Sequence, residues 1–185
     1  RRFLMPTIRG SETGSKKRYA GLKGDDGNEQ LIFKGLESAR TDWTPLAQCF
    51  QHQLYQLIFH GQDPESYIRT IVEQTLAGQL DEQLVYQKRL RRRLHEYQKN
   101  VPPQVRAARM ADEINAKLGR PLQYQYRGSI EYLITVNGPE PKEYSKSPMD
   151  YQHYIDKQLK PVADAILPFI GKHFDELIAP QLGLF

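Results

Sequence analysis

Val101-Pro102-Pro103 restricts the fold of this chain more than any other short run in it. A proline pushes the residue before it into extended geometry, while its own fixed φ and missing N–H suit the first turn of a helix. A helix can therefore start at about Pro103, but none can run through Val101. Beyond that point Val105, Ala108, Ala111, Ile114 and Leu118 recur every three or four positions, which predicts one apolar helical face ending at Gly119. Arg106, Arg109, Lys117 and Arg120 fall on the opposite face. The stretch before the prolines, from Val85, interleaves cations with Tyr86 and Tyr97, and residues 84–90 read as a short strand.

Charge is concentrated in this same region. Residues 85–120 carry 10 Lys and Arg against 3 Asp and Glu, whereas residues 41–84 carry 1 against 6 and residues 121–185 carry 6 against 8. The overall charge of +4 conceals that patch. A local cluster of cations neutralises several phosphates of a duplex at once and releases their counterions, so it matters more than the global balance. A basic helix face is also what an ordinary solvated face looks like. The adjoining run Lys88-Arg89-Leu90-Arg91-Arg92-Arg93 and the two tyrosines favour phosphate binding.

Before this region, Lys16 to Leu22 and Glu29 to Lys34 flank Gly24-Asp25-Asp26-Gly27, a hairpin pattern in which the two aspartates read as turn residues rather than metal ligands. Thr44-Pro45 then signals a helix start, with Leu46, Phe50, Leu54, Leu57 and Ile58 as its apolar stripe. Asp63-Pro64 repeats the signal ahead of Tyr67, Ile68, Ile71, Val72 and Leu76, and Ala77-Gly78 ends that run. Cys49, the single cysteine, lies in the first of these helices and is expected to be a buried free thiol in a reducing compartment. Ser129 to Val136 alternates as a strand broken at Asn137-Gly138-Pro139, and Pro139 to Ser147 reads as a loop. Ser147-Pro148-Met149-Asp150 is a further helix start, with Pro161 expected to interrupt that helix and Pro168 to kink the last one. The chain ends Gln181-Leu182-Gly183-Leu184-Phe185, apolar anchors that suit either a partner's groove or the protein's own core.

No catalytic constellation stands out. The histidines, His52, His60, His95, His153 and His173, have no metal-ligand spacing, and Gly14-Ser15-Lys16-Lys17 only faintly echoes a phosphate-binding loop. With a mean hydropathy of −0.67 and no apolar run near the length of about 20 residues that spans a bilayer, no membrane association is expected. The sequence opens without Met, which suggests a piece of something longer.

Gly14 to Leu22, with its Lys-Lys-x-Tyr core, resembles the palm motif of family B DNA polymerases. Lys34-Gly35-Leu36-Glu37 with Arg40, Asp42 and Trp43 resembles the junction from palm to thumb, and Tyr86, Lys88, Arg89, Leu94, Tyr97 and Pro102 to Arg109 resemble the thumb. Gln181 to Phe185 is similar to the peptide by which bacterial polymerases bind their sliding clamp. One departure is Gln104, where histidine is expected in many relatives.

The resemblance implies an α+β, predominantly helical fold: a remnant palm hairpin over 1–42, a thumb with a few short antiparallel strands over 43–179, and a clamp-binding tail over 180–185. It implies that Lys16, Lys17 and Tyr19 hold primer–template duplex near the primer end, that Lys88, Arg89, Arg91, Arg92, Arg106 and Arg109 contact phosphates farther back, and that Lys34, Arg40 and Tyr97 also bind the DNA. Gln181, Leu182, Leu184 and Phe185 would enter the clamp groove. The parent would be a bacterial, cytoplasmic, nucleoid-associated DNA polymerase with proofreading, acting in repair and lesion-tolerant synthesis. Its Mg2+ ions and their carboxylates would lie upstream, so this chain would hold no cofactor and would not polymerise by itself. Two other classes stay open on the residues alone: an autonomous nucleic-acid-binding module, and an interaction scaffold whose basic patch meets an acidic protein.

Overall fold

The computed structural model describes residues 2–4, 19–24, 29–34 and 43–179. It is an α+β fold, mainly helical, with two small antiparallel sheets. The first sheet has the order β1 (Arg2–Leu4), β2 (Tyr19–Lys23), β3 (Gln30–Lys34), and β2 and β3 pair as the alternation predicts, although the turn with Asp25 and Asp26 lies outside the described residues. Ala20, Leu22 and Leu31 bury themselves in the common core.

Helix α1 (Pro45–Phe59) begins where Thr44-Pro45 requires, with Thr44 Oγ1 accepting from the Ala47 amide at 3.3 Å. Its buried face is Leu46, Phe50, Leu54, Tyr55 and Phe59, while Ile58 is only partly covered. Cys49 corrects an expectation: it is exposed, because it falls beside rather than on that face. Helix α2 (Glu65–Leu76) follows, introduced by Asp63, whose Oδ1 accepts from the Glu65 amide, and ends at Gly78 with φ +73°.

The second sheet has the order β4 (Tyr86–Leu90), β5 (Gly128–Thr135), β6 (Gly138–Pro141), and α3 (Pro103–Lys117) packs on it. Helix α3 starts at the second proline and stops before Gly119, as expected. Its apolar face differs at the end: Leu118 is 56% exposed, and Asp112 and Asn115 are buried in its place. The expected loop over 139–147 is instead strand β6 and a short 3-10 turn, Lys142–Tyr144. Two prolines disguised this strand, since proline is tolerated in a sheet only at an edge, and β6 is one.

Ser147 does not cap the next helix. Asp150 does, accepting from the His153 amide at 3.2 Å, and α4 is Tyr151–Tyr154. Nor does Pro161 break the run. The turn ahead of it, Ile155–Leu159, widens to π, which absorbs the lost N–H and the clash of the ring with the preceding turn, and α5 (Lys160–Ile166) continues directly. Pro168 sits in a 3-10 turn, Leu167–Ile170, and the real break comes at Gly171, before α6 (Phe174–Ile178).

A buried polar chain ties these parts together. Thr44 donates through N and Oγ1 to Gln158 Oε1, both at 2.9 Å; Gln158 Nε2 donates to Tyr86 Oη at 3.0 Å; and Tyr86 Oη lies 2.8 Å from His153 Nε2. Tyr86 also stacks on Tyr132 with ring centres 5.1 Å apart. The start of α1, the π turn and β4 are thereby held in one register.

Candidate nucleic-acid interface

Strand alternation sorts the first cations of the basic run. Tyr86 and Leu90 point inward and are buried, Lys88 on the same side is half-buried, and Gln87 and Arg89 face solvent. On β5, Ser129 stands across from Arg89 and Glu131 across from Gln87. Gln87, Lys88, Arg89, Ser129 and Glu131 line an open cleft of about 720 Å³ together with Trp43, Gln48, Arg91 and Lys142. Glu131 is engaged by Lys142 Nζ at 3.2 Å. Among the described residues, none of Lys88, Arg89, Arg91 and Arg92 has a carboxylate within 4.0 Å. Glu82 also lines the cleft, so its charged lining is Lys88, Arg89, Arg91 and Lys142 against Glu82 and Glu131; the balance is positive, and Lys88, Arg89 and Arg91 are left to attract a polyanion.

The chain then leaves the sheet in a loop fixed by Leu94, which is buried, and by Arg109. Arg109 Nη2 donates to the carbonyls of Leu94 at 2.8 Å and Tyr97 at 2.6 Å. Its guanidinium is thus directed at the protein's own backbone, in contrast to the free polar face that helical spacing suggests. Tyr97 is half-buried, with its Oη accepting from the Arg92 amide at 3.2 Å and the Arg92 guanidinium 5.2 Å from its ring centre. Tyr97 shapes the loop while Arg91, Arg92 and Arg93 project from it.

Arg106 separates from Arg109 by one turn of α3 and has a different fate. It is exposed and lies over the β5–β6 turn, where a Cβ built on Gly138 would come within 3.2 Å of its Nη2. Gly138, at φ +97°, makes room for it. Tyr19 and Lys34 are register partners at the end of the β2–β3 ladder. Lys16, Lys17, Arg40, Gln181, Leu182, Leu184 and Phe185 lie outside the described residues.

Several residues near this surface are not evident from the run itself. The Arg93 guanidinium stands 5.3 Å from the ring centre of Tyr126. Arg120 donates to Tyr144 Oη at 2.9 Å, and Tyr144 in turn donates to Asn115 Oδ1 at 2.5 Å. The alternation Tyr124-Gln125-Tyr126-Arg127 was the available signal, but only tertiary structure joins it to Arg93.

Two buried carboxylates anchor the surrounding loops. Asp112 accepts from the Gln123 and Tyr124 amides at 2.8 and 3.0 Å and from Gln125 Nε2 at 2.8 Å. Glu140 accepts from the Lys146 and Ser147 amides at 2.8 and 3.1 Å and from hydroxyls including Ser147 Oγ. Burial pushes the Glu140 carboxyl upward, yet the donors of Ser147, Lys146 and Thr135 outweigh it and bring its pKa down to about 2. Among the described residues no group of three His, Cys, Asp or Glu side chains is arranged to hold a metal ion, and no helix is long and apolar enough to cross a membrane.

Residues 14–170 match the model of DNA polymerase family B. Over 184 residues the chain is 61% identical to DNA polymerase II of Escherichia coli strain K12, an alignment covering 100% of this chain and 24% of that protein. It is 33% identical over 170 residues to DNA polymerase 2 of Aeropyrum pernix, covering 86% of this chain and 20% of the relative. It is 27% identical over 193 residues to the DNA polymerase zeta catalytic subunit of Schizosaccharomyces pombe, covering 92% of this chain and 13% of the relative. The chain thus spans a quarter or less of the length of these relatives.

Proposed function

The chain belongs to DNA polymerase family B, and from that premise we propose that residues 43–179 form the thumb that grips primer–template duplex in a DNA-directed DNA polymerase of the DNA polymerase II type. The observation that carries this reading is the cleft on the second sheet, which Lys88, Arg89 and Arg91 all line without carboxylate partners among the described residues. Contacts of that kind go to phosphate oxygens, so they hold the duplex in register without reading its sequence. Arg92, held against Tyr97, and Arg106, over the β-turn, extend the same grip. Arg109 acts through Leu94 and Tyr97, as the residue that keeps the Arg91–Arg93 loop in shape.

Residues 1–42 are proposed as the last part of the palm, with Lys16, Lys17 and Tyr19 near the primer end and Lys34 and Arg40 also binding the DNA. Residues 180–185 are proposed as the peptide for a bacterial sliding clamp, Gln181 hydrogen-bonding at the groove's edge and Leu182, Leu184 and Phe185 filling it. The parent enzyme would work in the bacterial cytoplasm, on the nucleoid, in repair and lesion-tolerant synthesis. It would use Mg2+ for attack of the primer hydroxyl on the nucleotide. The described residues do not suit such a metal: Asp112 and Glu140, the buried carboxylates, are already saturated by backbone and side-chain donors.

The test is fluorescence anisotropy of labelled primer–template duplex over a range of salt. With about four phosphates neutralised, log K should fall against log salt with a slope of about −3.6, or about 150-fold between 50 and 200 mM. Affinity should be the same for unrelated sequences. The double variant Arg89→Ala, Arg91→Ala should flatten the slope by about two. A slope unchanged by that variant, or a sequence-selective loss, would remove the cleft from the reading.

A further inference from the structure

We propose that Tyr126, backed by Arg93 and flanked by Arg127, is a stacking platform for an unpaired nucleotide, so that single-stranded nucleic acid binds beside the cleft that takes the duplex. Among the ten tyrosines whose side chains are described, Tyr126 alone is exposed, at 76%. The others find cover in the core or against a neighbour. An exposed phenol ring presents two apolar faces to water, and here one face is already partnered: the Arg93 guanidinium lies 5.3 Å from the ring centre. A cation on one leaves the other open to a nucleobase, which stacks on aromatic rings with little regard to sequence.

The platform is built before any ligand arrives. The residues just ahead of it, Gln123, Tyr124 and Gln125, are all bound to Asp112, which is 3% exposed and itself braced by Asn115 Nδ2 at 3.3 Å. Ordering the backbone in advance lowers the entropic cost of binding. Just behind it the chain is strained: Arg127 has φ +104°, outside the regions that side chains favour, and Gly128 follows at φ +133°. That pair of torsions turns the chain into β5 within two residues. Arg127 is exposed, as are Arg91, Arg92 and Arg93, so phosphates on either side of a stacked base meet guanidinium groups.

This inference rests on the nucleic-acid reading above but requires a different ligand, an unpaired strand. The experiment measures the affinity of the 185-residue chain and its variants for labelled oligothymidylate and for a blunt duplex at one low salt concentration. Tyr126→Ala should weaken oligothymidylate binding by about 5- to 100-fold. It should leave the duplex affinity within about twofold. Tyr126→Phe, which keeps the ring, should bind both as the parent does, and urea midpoints should match for all three proteins because the side chain is exposed. Equal losses on both ligands, no loss on either, or Phe behaving as Ala would overturn the proposal, as would absence of any oligothymidylate binding. Tyr126-dependent single-strand binding with no duplex binding would instead sink the duplex grip and leave the platform standing.

Discussion

Glu140 offers the sharpest test of how the loop beside the cleft is held. The carboxylate is 5% exposed and has no cation against it among the described residues; its charge is stabilised by dipoles alone. Oε1 takes the Lys146 amide at 2.8 Å, the Ser147 amide at 3.1 Å and Ser145 Oγ at 3.4 Å. Oε2 takes Ser147 Oγ and, at 3.2 Å, the Thr135 hydroxyl, whose single proton is shared with the Gly138 carbonyl. The gap between an ordinary 4.5 and about 2, at about 1.4 kcal/mol per pH unit, corresponds to about 3 kcal/mol. Because the folded pKa is the lower one, this stability is fully present above about pH 4.5 and is lost as pH falls towards about 2. Glu140→Gln keeps one oxygen for the two amides but removes the charge and sets an NH2 against the Ser147 and Thr135 hydroxyls that now donate, so it should destabilise by about 2–3 kcal/mol at neutral pH. Urea denaturation of both proteins at about pH 7 and about pH 3 measures the difference, which should shrink markedly at the lower value. A difference independent of pH would refute the reasoning, since a merely steric or packing role does not titrate. A neutral substitution would do the same.

Three other outcomes are expected. Arg109→Ala should cost about 2 kcal/mol of stability by orphaning the Leu94 and Tyr97 carbonyls, whereas Arg106→Ala should leave the melting temperature alone and flatten the salt slope of duplex binding by about one; paired thermal melts and anisotropy titrations separate the two. Deleting 181–185 should abolish binding to a bacterial sliding clamp in surface plasmon resonance without lowering the melting temperature, and a large drop would show that these residues belong to the core. Burial lowers the pKa of His153 below 6.5, despite the opposing charge of Asp150, so the folded state disfavours its proton and stability should fall as pH drops below about 6.5. His153→Gln, which can still accept from Tyr86, should flatten stability in that window, measured by urea midpoints.

Local chemistry made much of the fold legible. Thr44-Pro45 and Pro102-Pro103 act within a single turn, so the helices they open were readable from their own residues. The failures involve distant partners. Ser147 looks like a cap until Glu140 claims both its amide and its hydroxyl, which passes the capping role to Asp150. Cys49 looks buried because it sits in an apolar run, yet the helix turns it outward. Of the expected phosphate contacts, Lys88, Arg89 and Arg91 do share one cleft, but Arg109 spends its guanidinium on the backbone. Helical spacing gives the direction a side chain leaves the axis, and it is silent on which carbonyls wait there.

Strand β6 has one more consequence. Pro139 and Pro141 occupy alternate positions of an edge strand, leaving Gly138 and Glu140 to donate to β5, so the outward side of β6 has no N–H to offer at those two places. At the opposite margin, β4 carries Lys88 and Arg89, whose like charges repel a second copy. Both rims of this sheet are thus disfavoured as templates for another strand. Both margins of the second sheet are thereby blunted against pairing with a strand of a second copy.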